Sequence, residues 1–156
     1  MEYIFSMLNE AHFFQLLISL LLGVSIGAER TRAGKNAGLR TYGLVSMGSC
    51  LFALIAIGVI SYPGVTVSDA DVMRVVAGVV TGIGFLGAGS IIMRGEELTG
   101  LTTAAGMWVS AGMGVAVAFE LYSLAIVAAI LTLVIFTLLW SFELKVFNKN
   151  DSIKGS

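Results

Sequence analysis

The stretch from Val76 to Val117, VAGVVTGIGFLGAGSIIMRGEELTGLTTAAGMWVSAGMGVAV, decides the fold. It reads as two glycine-rich apolar helices joined by a short polar turn. Five glycines fall between Ala77 and Gly89, namely Gly78, Gly82, Gly84, Gly87 and Gly89. At about 100° per residue, Gly78, Gly82 and Gly89 share one stripe, and Gly84 and Gly87 lie on the other side. In lipid, missing side chains let backbones come together. A helix that is small on two faces is therefore expected at the centre of a bundle, between two neighbours. The second half repeats the pattern with hydroxyls: Thr102, Thr103, Gly106, Ser110 and Gly114 share one broad face, and Trp108 points away from it.

Composition sets the solvent. Of 156 residues, 57% are hydrophobic and only 12% charged, with a mean hydropathy of +0.94. A soluble domain carries roughly 25% charged residues, so this is the composition of a membrane protein. A net charge of −1 argues against a general nucleic-acid binder. The single cysteine, Cys50, excludes an intrachain disulfide and any multi-cysteine metal site. It reads as a small helix-packing residue.

Outward from the central stretch, the chain divides into five apolar spans of about 12–28, 43–62, 72–93, 101–118 and 121–142. The first ten residues carry Glu2 and Glu10 but no Lys or Arg, which is not the start of a secretory signal. Asn9 is placed to cap the first helix. Ser19, Gly23 and Gly27 follow at i, i+4 and i+8, a small-residue packing stripe. In the second span Gly43, Ser46, Cys50 and Ala53 fall near one face. Pro63-Gly64 ends that span, and Asp71 is placed to cap the third. The fifth span is apolar almost all round and is expected to face lipid most. Five spans put the termini on opposite sides. Arg30, Arg32, Lys35, Arg40, Arg94, Lys145, Lys149 and Lys154 then fall on one side and Arg74 alone on the other. That split places the N-terminus outside and the C-terminus in the cytoplasm. The expected fold is an all-α integral membrane protein: a five-transmembrane-helix bundle over residues 1–143, with the third and fourth helices as its packed middle and 144–156 as a cytoplasmic tail.

Three groups of residues are candidates for function. The first is the cytoplasmic cluster Glu29, Arg30, Arg32, Asn36, Arg40 and Thr41. Glu29 sits at a helix C-terminus, where a carboxylate needs a cation beside it. The cluster reads either as an ion-paired loop on anionic headgroups or as a polar gate at the cytoplasmic mouth. The second is acidic: Glu29 with Glu96 or Glu97 offers carboxylates of the kind Mg²⁺ takes, if the two loops meet. Solvated loop carboxylates are the plainer account. The third is the interior. Gly78, Gly82, Gly84, Gly87, Gly89 and Gly106 serve either close helix packing or a pore lined by exposed carbonyls. Thr81, Ser90, Thr102, Thr103 and Ser110 form a polar seam, or bond back to their own helices. No ionisable residue lies well inside a span so bounded, which counts against an ion-coupled pump. His12 stands alone at the outer interface, and Trp108 and Trp140 read as packing and interface anchors. No nucleophile–base pair or phosphate loop is present, so no enzyme is expected.

The same residues carry a resemblance. GIGFLGAGSII (82–92), then GLTTAAGMWVSAGMGVAV (100–117), resembles the core of the MgtC/SapB family of bacterial membrane proteins. GAERTRAGKNAGLRT (27–41) is similar to that family's first cytoplasmic loop. The matches run from roughly Gly23 to Val117. The resemblance implies a multi-pass bacterial inner-membrane protein linked to growth in low magnesium and, in pathogens, to survival inside host cells. It implies a non-enzymatic regulator working through membrane partners such as the F-type ATP synthase, with a passive magnesium or other ion pathway as the alternative. Longer members add a soluble C-terminal domain, and a sequence ending at Ser156 reads as a short member without it. Beyond the lipid bilayer, the glycine faces lead us to expect a homo-oligomer, most simply a dimer.

Overall fold

The computed structural model describes residues 10–60, 68–95 and 97–139, leaving aside the side chains of Arg94 and Leu139. Its helices are α1 (Glu10–Arg32), α2 (Leu39–Ile60), α3 (Asp69–Ser90), α4 (Leu101–Ala118) and α5 (Tyr122–Val134), the last continued by a π-helical turn, Ile135–Leu139. Between α3 and α4 lie two short strands, β1 (Ile92–Arg94) and β2 (Glu97–Thr99). The first four helices are long and apolar enough to cross a membrane; the fifth is shorter within the described residues.

The boundaries differ from the sequence reading for local reasons. Helix α1 runs four residues past Ala28, because charged side chains at a helix end can leave the apolar surface while their backbone stays helical. Arg30 and Arg32 in that last turn also face the negative end of the helix dipole. Helix α2 starts at Leu39 rather than 43, its first N–H held by the Thr31 hydroxyl at 3.2 Å. Ser68 takes the N-cap of α3 that Asp71 was expected to fill. The Asp71 carboxylate, one turn on, accepts the Ser68 N–H at 3.0 Å and its hydroxyl at 2.8 Å. Helix α3 ends at Ser90, not 93, and the expected loop is a hairpin pairing Ile92 with Thr99, Met93 with Leu98 and Arg94 with Glu97. Asn9, Pro63-Gly64 and the end of the fifth span lie outside the described residues.

Side-chain contacts set the helix directions. Gln15, early in α1, donates to the carbonyls of Val117 and Ala118 at the end of α4. Tyr42, early in α2, donates to the carbonyl of Thr103 at the start of α4. One end of the bundle therefore gathers the finish of α1 and α3, the start of α2 and α4, and the hairpin.

The packed middle is α1, α2 and α4. Helix α4 buries ten residues, among them Thr103, Gly106, Ser110, Met113, Gly114 and Val117. The face of α2 read from sequence (Gly43, Ser46, Cys50, Ala53) is buried along its length. The α1 stripe Ser19, Gly23 and Gly27 is buried too. A Cβ at Gly23 would lie 2.8 Å from that of Ser46, and one at Gly27 would lie 2.7 Å from the Gly38 carbonyl oxygen and the Leu39 Cα. A Cβ at Gly114 would collide with the Ser46 carbonyl and reach to 3.0 Å from the Cys50 nitrogen. At these points the backbones touch.

The central placement of α3 is overturned. It buries only Val72, Ile83 and Gly87, and it is held chiefly by a small cluster of Val45, Ile83 and Ala111 with Val79 alongside. No atom outside the helix comes within 4 Å of a Cβ built at Gly78, Gly82, Gly84 or Gly89; at Gly87 the nearest is Ala104 Cβ, at an ordinary 3.5 Å. Helix α3, not α5, has the most open position: α5 turns Ala125, Ala129 and Thr132 inward.

Thermal unfolding separates the two glycine classes. Gly23→Ala and Gly114→Ala should each cost about 1–3 kcal/mol through overpacking. Gly82→Ala should be neutral or stabilising by up to ~1 kcal/mol, since it removes a helix-weakening glycine from open space. A loss at Gly82 as large as that at Gly114 would contradict the outer position of α3.

Candidate functional site

At the end where α1 finishes, Arg30 is only 3% exposed. Its Nε donates to the Oε2 of the neighbouring Glu29, and its guanidinium carbon lies 3.7 Å from the centre of the Phe136 ring. The slot for that ring is Gly106, where a Cβ would stand 2.7 Å from both Phe136 Cζ and the Tyr42 hydroxyl oxygen. The Tyr42 hydroxyl donates to the Thr103 carbonyl at 3.0 Å. Four helical segments thus meet around one cation. Taking a guanidinium out of water costs several kcal/mol unless it is paired. Here a carboxylate and an aromatic face offset that cost, and a desolvated cation–π contact contributes ~2 kcal/mol. Arg30 lies in the last turn of α1, at the edge of the span rather than well inside it, and is nonetheless buried.

The six-residue cluster at the α1–α2 corner therefore divides. Glu29 and Arg30 form a covered pair, Thr41 is half-buried, and Arg32, Asn36 and Arg40 are exposed. The corner between α1 and α2 is built by Thr31, whose hydroxyl donates to the Gly27 carbonyl at 3.0 Å while receiving the Leu39 N–H. Among the described residues, no three of His, Cys, Asp and Glu gather as metal ligands. Glu97 is exposed on β2, and Glu96 lies outside the described residues. Glu29, the first member of the carboxylate set expected for Mg²⁺, is paired with Arg30.

A line of polar side chains runs through the bundle on α1, α2 and α4. Gln15 bonds the end of α4, Ser19 and Ser46 share a 3.0 Å hydroxyl contact, and Ser110 donates to the Tyr42 carbonyl at 3.0 Å. Of the seam expected from sequence, Thr103 and Ser110 belong to this line. Thr81 instead donates to the Ala77 carbonyl and Ser90 to that of Gly87, while Thr102 is exposed. Gln15 and Tyr42 were not singled out, although a glutamine within an apolar span was an available signal for the first. Every fully buried side-chain nitrogen and oxygen among the described residues has a hydrogen-bond partner. The line holds helices together and leaves no free ligand.

The glycines divide the same way. Gly106 is a tight slot, whereas Gly78 and Gly82 line an open apolar groove of about 580 Å³ between α2 and α3, with Gly48 and Phe52 on its other wall. A second groove, about 310 Å³, separates α3 from α4 and α5 and is lined by Val80, Trp108, Gly112 and Leu124 among others. Helix α3 stands between the two.

The stack at Arg30 is open to a double-mutant cycle. Arg30→Met and Phe136→Leu, alone and together, should show a coupling of about 0.5–2 kcal/mol in unfolding free energy. Strict additivity would remove the stack as a stabilising contact.

Against known proteins, the MgtC family matches residues 16–144. The Escherichia coli K12 protein named "Putative magnesium transporter YhiD" is 37% identical over 137 residues, covering 87% of this chain and 64% of YhiD. SrpB of Synechococcus elongatus is 38% identical over 128 residues, 77% of this chain and 70% of SrpB. MgtC of Salmonella typhimurium is 41% identical over 127 residues, 81% of this chain and 52% of MgtC. The chain thus spans just over half the length of MgtC and under two thirds of YhiD. No solved structure is significantly similar. With apolar helices of spanning length, a glycine-packed α1–α2–α4 core and a family match over most of its length, the chain is a membrane protein of the MgtC family.

Proposed function

We propose that this chain is a bacterial inner-membrane protein of magnesium homeostasis that acts without catalysis, by offering the open side of α3 to a membrane partner. The observation that carries this reading is the contrast between the two halves of the bundle. Around α1, α2 and α4, the buried polar groups described are paired and Gly23, Gly27, Gly43, Gly106 and Gly114 are in contact, whereas Gly48 and Gly112 are open and line the grooves beside α3. Around α3, four glycines meet nothing. Glycine weakens a helix, and in lipid that weakness is offset where another backbone approaches. The chain's own helices do not make that approach to Gly78 or Gly82.

The magnesium link rests on the family and on the name of YhiD. We place the N-terminus outside and the C-terminus in the cytoplasm, with five spans. The charge split supports this, as do helix directions that bring Arg30, Arg32, Lys35 and Arg40 to one end. A second copy, docked α3 to α3 about a twofold axis, is the simplest partner; the F-type ATP synthase is the heterologous one that the family resemblance implies. A passive ion pathway is the second reading, supported by the polar line of Gln15, Ser19, Ser46 and Ser110 through the bundle. The fully buried polar atoms of that line already have hydrogen-bond partners among the described residues, which favours the contact reading.

Gly78→Leu and Gly82→Leu fill the groove without touching the α1–α2–α4 contacts. Both variants should reach the membrane folded and fail to restore growth at low magnesium to cells lacking the protein. Full restoration by both would end the contact reading. Between copies, Phe85→Cys should crosslink in native membranes if the partner is a second copy; monomer alone would leave a heterologous partner.

A further inference from the structure

We propose that the β1–β2 hairpin lies in the headgroup layer of the membrane, with the Met93–Leu98 pair turned into the boundary between headgroups and acyl chains. The sequence reading put Ile92 and Met93 in the third span and only Arg94–Gly100 in a loop, and the function proposed above does not use the segment.

The base of the hairpin is pinned to the membrane. Only Ile91 separates α3 from β1, and only Gly100 separates β2 from α4. Gly100, at φ +95, is pressed against the Ser90 carbonyl, and a Cβ there would come within 3.3 Å of Ile91 Cα. The end of α3 and the start of α4 are therefore in contact. Three-residue strands rise about 10 Å at roughly 3.3 Å per residue. The headgroup layer is about 5–8 Å deep on each side of the hydrocarbon. Met93 and Leu98 pair in the second register position from the base, which puts them within that layer.

The hairpin's chemistry excludes its two other surroundings. Met93 and Leu98 are cross-strand partners, so their side chains share a face, and they are 69% and 59% exposed. A lone two-stranded hairpin is marginal in water, and a bare apolar pair does not help it. In hydrocarbon, its two unpaired edges would leave N–H and C=O groups without partners. The headgroup layer supplies both needs: polar groups and water for the edges, and acyl carbon for the apolar pair. Leu101, two residues beyond β2 at the start of α4, is exposed as well. The occupant we assign is phospholipid of that leaflet.

The test uses the full chain in vesicles with its two tryptophans replaced (Trp108→Phe, Trp140→Phe) and one tryptophan returned, by Met93→Trp, Leu98→Trp or Glu97→Trp. Lipids brominated near the headgroup end or near the chain terminus serve as quenchers, and aqueous iodide reports water access. Met93→Trp and Leu98→Trp should be quenched by shallow bromine at least about twofold more than Glu97→Trp, which alternates to the opposite face, and more than by deep bromine. Iodide should quench Glu97→Trp more strongly than either. Stronger quenching by deep bromine would place the hairpin in hydrocarbon and overturn the proposal. Iodide access without bromine quenching would place the pair in water, and shielding from both would place it against protein. Either of these also overturns it. If only one of the two apolar-face variants folds, that one carries the test.

Discussion

The fold depends on three places where helix backbones touch: Gly23 of α1 against Tyr42 and Ser46 of α2, Gly27 against Gly38 and Leu39, and Gly114 of α4 against Ser46 and Cys50. Lipid tails are as apolar as leucine, so helices in a membrane gain little from hiding apolar side chains from their solvent. Close packing and hydrogen bonds between helices must hold them instead. Each close approach here brings such a bond with it. With Gly23 absent as a side chain, Ser19 and Ser46 meet one turn away. Across the α2–α4 contact, Ser110 reaches the Tyr42 carbonyl and the Tyr42 hydroxyl reaches Thr103. Lengthening any of these glycines would part the backbones and strand the polar groups that their approach satisfies.

From that core, the remaining elements follow as attachments of two kinds. Helix α5 is fastened by chemistry: Phe136 enters the Gly106 slot and covers Arg30, which lets a charge sit at the edge of the bundle with little water. Helix α3 rests on a few apolar side chains and leaves grooves on both sides. We propose that an element held that loosely is a surface for a partner, since its glycines are spaced for a helix. The functional reading grows from this asymmetry between a fastened side and an open one.

Much of this was legible in the sequence, for identifiable reasons. Hydropathy gave the four helices of crossing length among the described residues, because the bilayer imposes a length rule on any chain. The Ser19–Gly23–Gly27 stripe and the Gly43–Ser46–Cys50–Ala53 face were readable because contact and periodicity coincide there. The central position expected for α3 was wrong because periodicity shows that a face is small without showing what approaches it. Five glycines on α3 outweighed two on α1 in the sequence, yet the two are in contact and four of the five are open. Arg30 over Phe136 was out of reach, since it joins residues at opposite ends of the chain and needed α1 to continue past Ala28. The hairpin was hidden by its length: three-residue strands leave no alternation to detect.

The account's central claim is that the core is closed and that action takes place at the outer side. The most direct test is magnesium flux into liposomes carrying the purified protein, read by an internal dye under a magnesium gradient and an imposed potential, with Glu29→Gln alongside. A bundle whose buried polar groups are paired among the described residues, and whose α1, α2 and α4 backbones touch at Gly23, Gly27 and Gly114, should pass no more magnesium than protein-free liposomes, in both forms. Flux above that level that falls in Glu29→Gln would contradict the account, and would make the polar line beside Arg30 a pathway.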